Sequence, residues 1–152
     1  MHFKNFFGFE LVVPEGVYVP SDDSILLADN LPVVMGNCLD VCSGSGFQAL
    51  AMVRNGAKSV LAVDVDVRAV AAVEKNAELN GFGNRIDVVQ SVLFEKVVGK
   101  FDLIVCNPPY VVSDELKWKA LAGGKKGRVV LDRFLVGVKD FLSPDGVAVF
   151  LQ

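Results

Sequence analysis

From residue 37 onward the chain alternates between two kinds of apolar pattern. Short continuous runs, NCLDV, KSVLAVD, RIDVVQS, KFDLIV and GVAVFLQ, have the length and the Val, Ile and Leu content of strands buried on both faces. Between them, GFQALAMVRNG, VRAVAAVEKNAELNG and VVLDRFLVGVKDFL space their apolar residues as helices do. Gly56 and Gly81 stand where helix C-terminal glycines belong. This alternation predicts an α/β fold, a doubly wound, mostly parallel sheet with helices on both faces. Upstream, LVVPEGVYVP predicts a short hairpin around Pro14, Glu15 and Gly16. In SDDSILLADNL, Ser21 caps a helix whose first turn carries Asp22 and Asp23, favourable at the positive end of the helix dipole. The chain thus reads as a single domain, with a hairpin and helix over 1–31 and a doubly wound core over 37–152. GVAVFLQ ends at Gln152 with nothing after it to cover its outer side. The pattern therefore predicts a C-terminally truncated piece of a longer domain, in preference to an edge covered by a second chain.

Half of the residues are apolar, yet no run approaches the roughly 20 residues of a membrane span. MHFKNFFGF lacks the small-residue cleavage site of a secretory signal, so the expected location is cytoplasmic. Cys38, Cys42 and Cys106 are odd in number, and His2 is the one histidine. Buried reduced thiols are expected, with no metal site. A net charge of −3 argues against a surface given over to nucleic acid, although a local basic patch is compatible with it.

LDVCSGSGF joins the first strand of the parallel set to its helix. Gly44 and Gly46 permit a sharp turn and a close ligand approach, and the following helix offers free N–H groups. Asp64 closes the next strand, where a carboxylate can accept both hydroxyl protons of a ribose. Together they favour a nucleoside ligand. The turn has no GxxxxGK[ST] sequence, and Asp40 just before it would repel a pyrophosphate while welcoming a cation. That points away from NAD and towards S-adenosylmethionine, whose sulfonium and amino groups are positive.

The run FDLIV stops abruptly on CNPPY. Two successive prolines end both strand and helix, and the strand order places Asn107 beside the glycine turn, at the switch point where ligands bind. Asn107 and the Pro108 carbonyl can accept the two protons of a substrate nitrogen. Pro109 stiffens the loop, and Tyr110 supplies a flat face for a planar group.

The order LDVCSGSG, VLAVD, NPPY resembles the class I S-adenosylmethionine-dependent methyltransferases, a Rossmann-like fold, that act on planar exocyclic or amide nitrogens. With YVPSDDSILLADNL upstream and AGGKKGRVVLDRFL downstream, it is similar to the archaeal and eukaryotic branch of the HemK-like release-factor glutamine methyltransferases. The resemblance implies that Asn107, Pro108, Pro109 and Tyr110 hold a target glutamine amide, with Asn107 also facing the cofactor. It implies that Asp64 binds the ribose, that Asp40 and Cys42 to Gly46 line the methionine half, and that Tyr18 and Ser24 belong to an upstream cofactor element with Pro20. Ser91 and Val92 fall at the adenine side, Ser91 where the family has an aspartate. Cys42 replaces the family's first turn glycine, and the family's sheet has two further strands beyond GVAVFLQ. Both replacements suggest weak cofactor binding. The implied substrate is a translation release factor, and the implied partner is a small zinc-binding activator subunit that adds a strand. Two alternatives stand beside this: N6-adenine or exocyclic-amine methylation of DNA or RNA, and a cofactor-binding scaffold without activity. Lys117, Lys119, Lys125, Lys126 and Arg128, interspersed with Gly123, Gly124 and Gly127, read as a substrate clamp or as a solvated loop, and Trp118 as a hinge or substrate contact.

Overall fold

A hairpin of β1 (His2–Phe6) and β2 (Phe9–Val12) precedes α1 (Asp22–Asp29). The core then runs β3 (Asn37–Val41), α2 (Phe47–Arg54), β4 (Ser59–Asp64), α3 (Val67–Leu79), β5 (Ile86–Gln90), β6 (Phe101–Cys106), α4 (Val129–Gly137), a 3-10 turn (Val138–Asp140) and β7 (Leu142–Phe150). These elements come from a computed structural model that describes residues 1–111, 124 and 126–152. Lys117, Trp118, Lys119, Gly123 and Lys125 of the basic segment lie outside the described residues.

The five core strands form one parallel sheet in the order β5-β4-β3-β6-β7. The chain moves outward from β3 to β5, then returns to the other side of β3. Each strand sends alternate residues to opposite faces. On one face Cys38, Val60, Ala62, Leu103 and Val105 pack with α2 and α3 residues such as Leu50, Val53, Val73 and Ala77. On the other, Leu39, Val41, Val63, Ile104 and Cys106 pack with Leu131 and Phe134 of α4. Burial on both faces is why these strands read as continuous apolar runs. Both helix-closing glycines are left-handed, Gly56 at φ 109° and Gly81 at φ 73°. After each, a backbone N–H reaches back to the last helical turn, Ala57 to the Met52 carbonyl (3.0 Å) and Phe82 to the Ala77 carbonyl (2.8 Å).

The hairpin is displaced from its expected place. It turns at Phe7 and Gly8, whose φ values of 54° and 84° suit a tight hairpin turn, and β1 pairs antiparallel with β2. Pro14 to Val17 form only a local turn, closed by the Val17 N–H on the Pro14 carbonyl (3.2 Å). The reason is that the outer edge of β2 is already taken. Asn76 of α3 accepts the Val12 N–H (2.8 Å) and donates to the Val12 carbonyl (2.9 Å), while Asn80, one helical turn on, does the same for Glu10 at 3.0 and 2.7 Å. The two side-chain amides stand in for a neighbouring strand. Phe47 of α2 completes the docking, meeting Phe6, Phe7 and Phe9 edge-on at centroid distances of 5.3, 5.7 and 6.1 Å.

Asn76 is fully buried, and its amide also donates to the Ser45 carbonyl (2.8 Å). Asn76→Ala would strand three backbone groups away from water. The expected loss is on the order of 2–4 kcal/mol, measured by denaturant unfolding, with a smaller loss for the less buried Asn80→Ala.

Candidate active site

The turn after β3 passes through the left-handed region at three positions, Cys42 (φ 60°), Gly44 (φ 54°) and Gly46 (φ 80°). Two are glycine, for which this costs little. Cys42 is not, and a side chain at such a φ carries strain on the order of 1–2 kcal/mol. The space around the glycines differs in kind. A Cβ on Gly46 would stand 3.2 Å from Val73, so helix packing requires the glycine there, whereas a Cβ on Gly44 would meet nothing within 4 Å. The open side of the turn is at Gly44.

Neighbouring groups take up the turn's polar atoms. Asp64 Oδ2 accepts the Gly44 N–H (2.9 Å), and its Oδ1 accepts the Asp66 N–H (2.9 Å). The Val65 N–H bears on the same carboxylate, which still has room for a further donor. Ser43 donates its N–H to the Val63 carbonyl (3.1 Å), and Asp40 Oδ2 accepts the Ala49 N–H (3.1 Å) at the start of α2. Three buried polar atoms here have no partner among the described residues: Asp40 Oδ1, Ser43 Oγ and Gln48 Oε1. Such atoms are costly to bury unless something meets them. Burial raises Asp40 to about 8, against the Ala49 N–H that lowers it, and Asp64 nearby adds a further upward push. Burial also raises Asp64 above the ordinary carboxylate range.

β3 and β6 are neighbours with Val41 opposite Cys106, so Cys42 and Asn107 leave the sheet side by side. The Cys106 carbonyl accepts the Leu151 N–H (3.2 Å), and the chain departs at Asn107. Asn107 is half-buried, Pro108 buried and Tyr110 exposed. The thiol of Cys106 is pushed up by burial and then by its hydrogen bond with Cys42. All three cysteines are free.

The upstream element reaches the same end of the sheet. Tyr18 and Tyr110 donate their hydroxyls to the two oxygens of Asp23, each at 2.5 Å. Ser24 is buried at the first turn of α1, and its carbonyl accepts from Gln48 Nε2 (2.8 Å), which ties α1 to α2. Ser91 and Val92 follow β5, and the Ser91 N–H donates to the Asp64 carbonyl (2.9 Å). The Ser91 hydroxyl is committed locally, donating to the Leu93 carbonyl (3.0 Å) and accepting the Lys96 N–H (3.1 Å). One lone pair remains for any ligand there. Gly44 and Asp64 are therefore bonded directly, with Asp40, Cys42 and Gly46 on the adjoining strand end and turn, while Tyr18, Ser24 and Tyr110 gather around Asp23.

The geometry is that of a parallel sheet with a glycine turn, an acid on the next strand and an NPPY loop at its switch point. A family model for the methyltransferase small domain matches residues 15–149. The chain belongs to that family. It is 39% identical, over 95% of its length and 76% of the relative's, to a Methanocaldococcus jannaschii protein provisionally named a protein N5-glutamine methyltransferase. It is 30% identical to the release factor glutamine methyltransferase of Borreliella burgdorferi over 96% of this chain, which spans only 56% of that longer protein. Among solved structures, a Pyrococcus furiosus methyltransferase superimposes with a TM-score of 0.75 over 97% of this chain and 71% of its own, at 24% identity, a likeness of fold. Among the described residues no helix is long and apolar enough to cross a membrane.

The sequence marks Ser43 only through the backbone of the turn and does not mark Asp23, Asn76 or Gln48 as site residues. Asp23 read only as a charge suited to a helix N-terminus, and Asn76 as one polar residue in an amphipathic helix. Nothing in the local pattern marks either one's distant partners.

Asp40 makes stability depend on pH in a definite direction. Its folded value of about 8 lies above the ordinary 3.8, so the folded state holds a proton that the unfolded state has lost between those limits. Stability should therefore fall as pH rises from about 4 to about 8. Asp40→Asn should flatten that slope, read from thermal midpoints across the range.

Proposed function

We propose that this methyltransferase uses S-adenosylmethionine to methylate the side-chain amide nitrogen of a glutamine in a translation release factor. The observation that carries the reading is the juxtaposition of Asn107 with Cys42 at the ends of paired strands, which sets the NPPY loop against the glycine turn. The names of the archaeal and bacterial relatives support the glutamine and the release factor.

The residues fit the cofactor. Asp40 offers a buried carboxyl oxygen without a partner, Ser43 an unpartnered hydroxyl, and Gly44 an open face with no Cβ in the way. Asp64, a carboxylate with room for a further donor, suits a ribose hydroxyl. Tyr18, Ser24, Cys42 and Gly46 complete the methionine side, and Ser91 and Val92 the adenine side. Asp40 is the group most affected by a cation, because a positive charge nearby stabilises its ionised form. The cofactor supplies an electrophilic methyl group.

For the amide, the Asn107 side-chain oxygen and the Pro108 carbonyl accept its two N–H protons, which orients the nitrogen and raises its electron density. Pro108 and Pro109 hold those acceptors rigid, so little ordering remains to be done at the transition state. The Tyr110 ring offers its face to the planar amide. No strong base is required, since the nitrogen loses its proton after it has become cationic. A small zinc-binding activator that adds a strand to the sheet belongs to this reading. The sheet's two edge strands, β5 and β7, the latter with Val147 and Phe150 exposed, support that part of the reading. A cytoplasmic location accords with a release-factor substrate.

The test is methyl transfer from labelled cofactor to a glutamine-bearing release factor and, in parallel, to adenine-bearing oligonucleotides. Methylated glutamine located by mass spectrometry is the expected result. Methylation of adenine alone would transfer the site to nucleic acid, and transfer to neither would leave a binding scaffold. Asn107→Ala should lower kcat by about 100-fold or more while calorimetric cofactor affinity changes only a few-fold.

A further inference from the structure

Asp23 is half-buried at the second position of α1, and its two oxygens serve different elements. Oδ1 gathers local donors: the Tyr18 hydroxyl (2.5 Å), the Ser21 hydroxyl (2.8 Å) and the Ser24 N–H (2.6 Å). Oδ2 accepts the hydroxyl of Tyr110, 87 positions away in the chain, at 2.5 Å. Short bonds from hydroxyls to an ionised oxygen are among the stronger hydrogen bonds in proteins. Burial alone would raise the pKa of Asp23, but the bonds from Tyr110, Tyr18 and Ser21 outweigh it and bring the group down to about 2. The carboxylate is thus held in its ionised form, the form that accepts from both phenols. Tyr110, for its part, follows two prolines and is 38% exposed, so packing alone does not fix its ring.

We infer that Asp23 is a positioning residue for methyl transfer: through Oδ2 it sets the orientation of the Tyr110 ring, and through Oδ1 it couples that ring to Tyr18 and the start of α1. The inference rests on the proposed role of Tyr110 as the face against which the substrate's planar amide lies. Asp23 itself touches neither amide nor methyl group. Its effect is geometric: a ring free to rotate leaves the amide nitrogen misaligned with the methyl group, and misalignment is lost rate. The same bonds join the NPPY loop to the segment bearing Ser24, so the two walls of the site are tied to one carboxylate.

The clamp can be tested apart from any substrate, because Tyr18 and Tyr110 are the chain's two tyrosines and both donate to Asp23. Tyrosinate absorbance therefore reports these two phenols, raised first by burial at Tyr18 and first by the bond to Asp23 at Tyr110, and the part of the shift that Asp23→Asn removes is the clamp's. In the wild-type protein, with circular dichroism showing it folded, both phenols should titrate above pH 10, the ordinary midpoint for a phenol. Asp23→Asn should bring the titration back towards that midpoint. A wild-type midpoint near 10 would overturn the clamp, whatever the enzyme's substrate proves to be.

For the catalytic consequence, Asp23→Asn should lower kcat by about 10- to 100-fold with cofactor affinity changed less than about threefold. Tyr110→Phe, which removes only the hydroxyl, should produce a similar drop, and the double variant should be no slower than either single one. Unchanged kcat in Tyr110→Phe, or losses that add in the double variant, would overturn the positioning role. If Asp23→Asn fails to fold, Tyr110→Phe carries the test by itself. If the wild type methylates no glutamine, the proposed function fails while the tyrosine titration still decides the clamp.

Discussion

The strand-to-helix turn after β3 is the constraint on which the rest of the molecule depends. Three left-handed residues in five positions, Cys42, Gly44 and Gly46, form a backbone path that local preferences alone would not hold. It persists because surrounding elements bond to it: Asp64 takes the Gly44 N–H, Val63 the Ser43 N–H, and Asn76 reaches the Ser45 carbonyl from α3. Those partners lie on two elements, Val63 and Asp64 on β4 and Asn76 on α3. The sheet, α3 and the hairpin are in this sense the scaffold of one turn.

Polar burial around the turn follows a division of labour. Asn76 is fully buried and satisfied, spending its amide on Val12 and Ser45. Asp40 is as deeply buried and only half satisfied, with one oxygen on Ala49 and the other unpartnered. The first arrangement stabilises and specifies the docking of the hairpin. The second stores a cost that a neutral, protonated carboxyl reduces and that a cation would relieve. Residues that bind ligands are often poorly satisfied in their absence, and the contrast between these two side chains, both bonded to the first turn of the same site, is a physical reason to separate scaffold from binding group.

The N-terminal segment is structurally part of the site. Phe47 and Arg54 of α2 dock the hairpin, Arg54 lying 4.6 and 4.3 Å over the Phe7 and Phe9 rings and donating to the Phe7 carbonyl (2.6 Å). Gln48, between them, ties α2 to Ser24, and Asp23 next to it ties α1 to Tyr110. A continuous set of contacts thus runs from the hairpin through α2 and α1 to the NPPY loop. Two walls that are distant in sequence are joined without any covalent link.

Sequence by itself determined the parallel core, because strands buried on both faces must be continuously apolar and helices against them must be amphipathic. The same holds for the site residues that act through their own backbone: Gly44 and Gly46 announce a turn that only glycine enters at low cost, and Pro108 and Pro109 announce the end of β6. What only the tertiary structure decided is where polar side chains find distant partners. The hairpin sits at Phe7 and Gly8 instead of Pro14 to Gly16 because Asn76 and Asn80 occupy the edge that a later strand would have needed. Asp23 bonds Tyr110 because folding brings α1 to the end of β6. Periodicity records which face of an element is buried. It holds no record of which distant atom a carboxylate or an amide will meet, since that is settled by the packing of elements against one another.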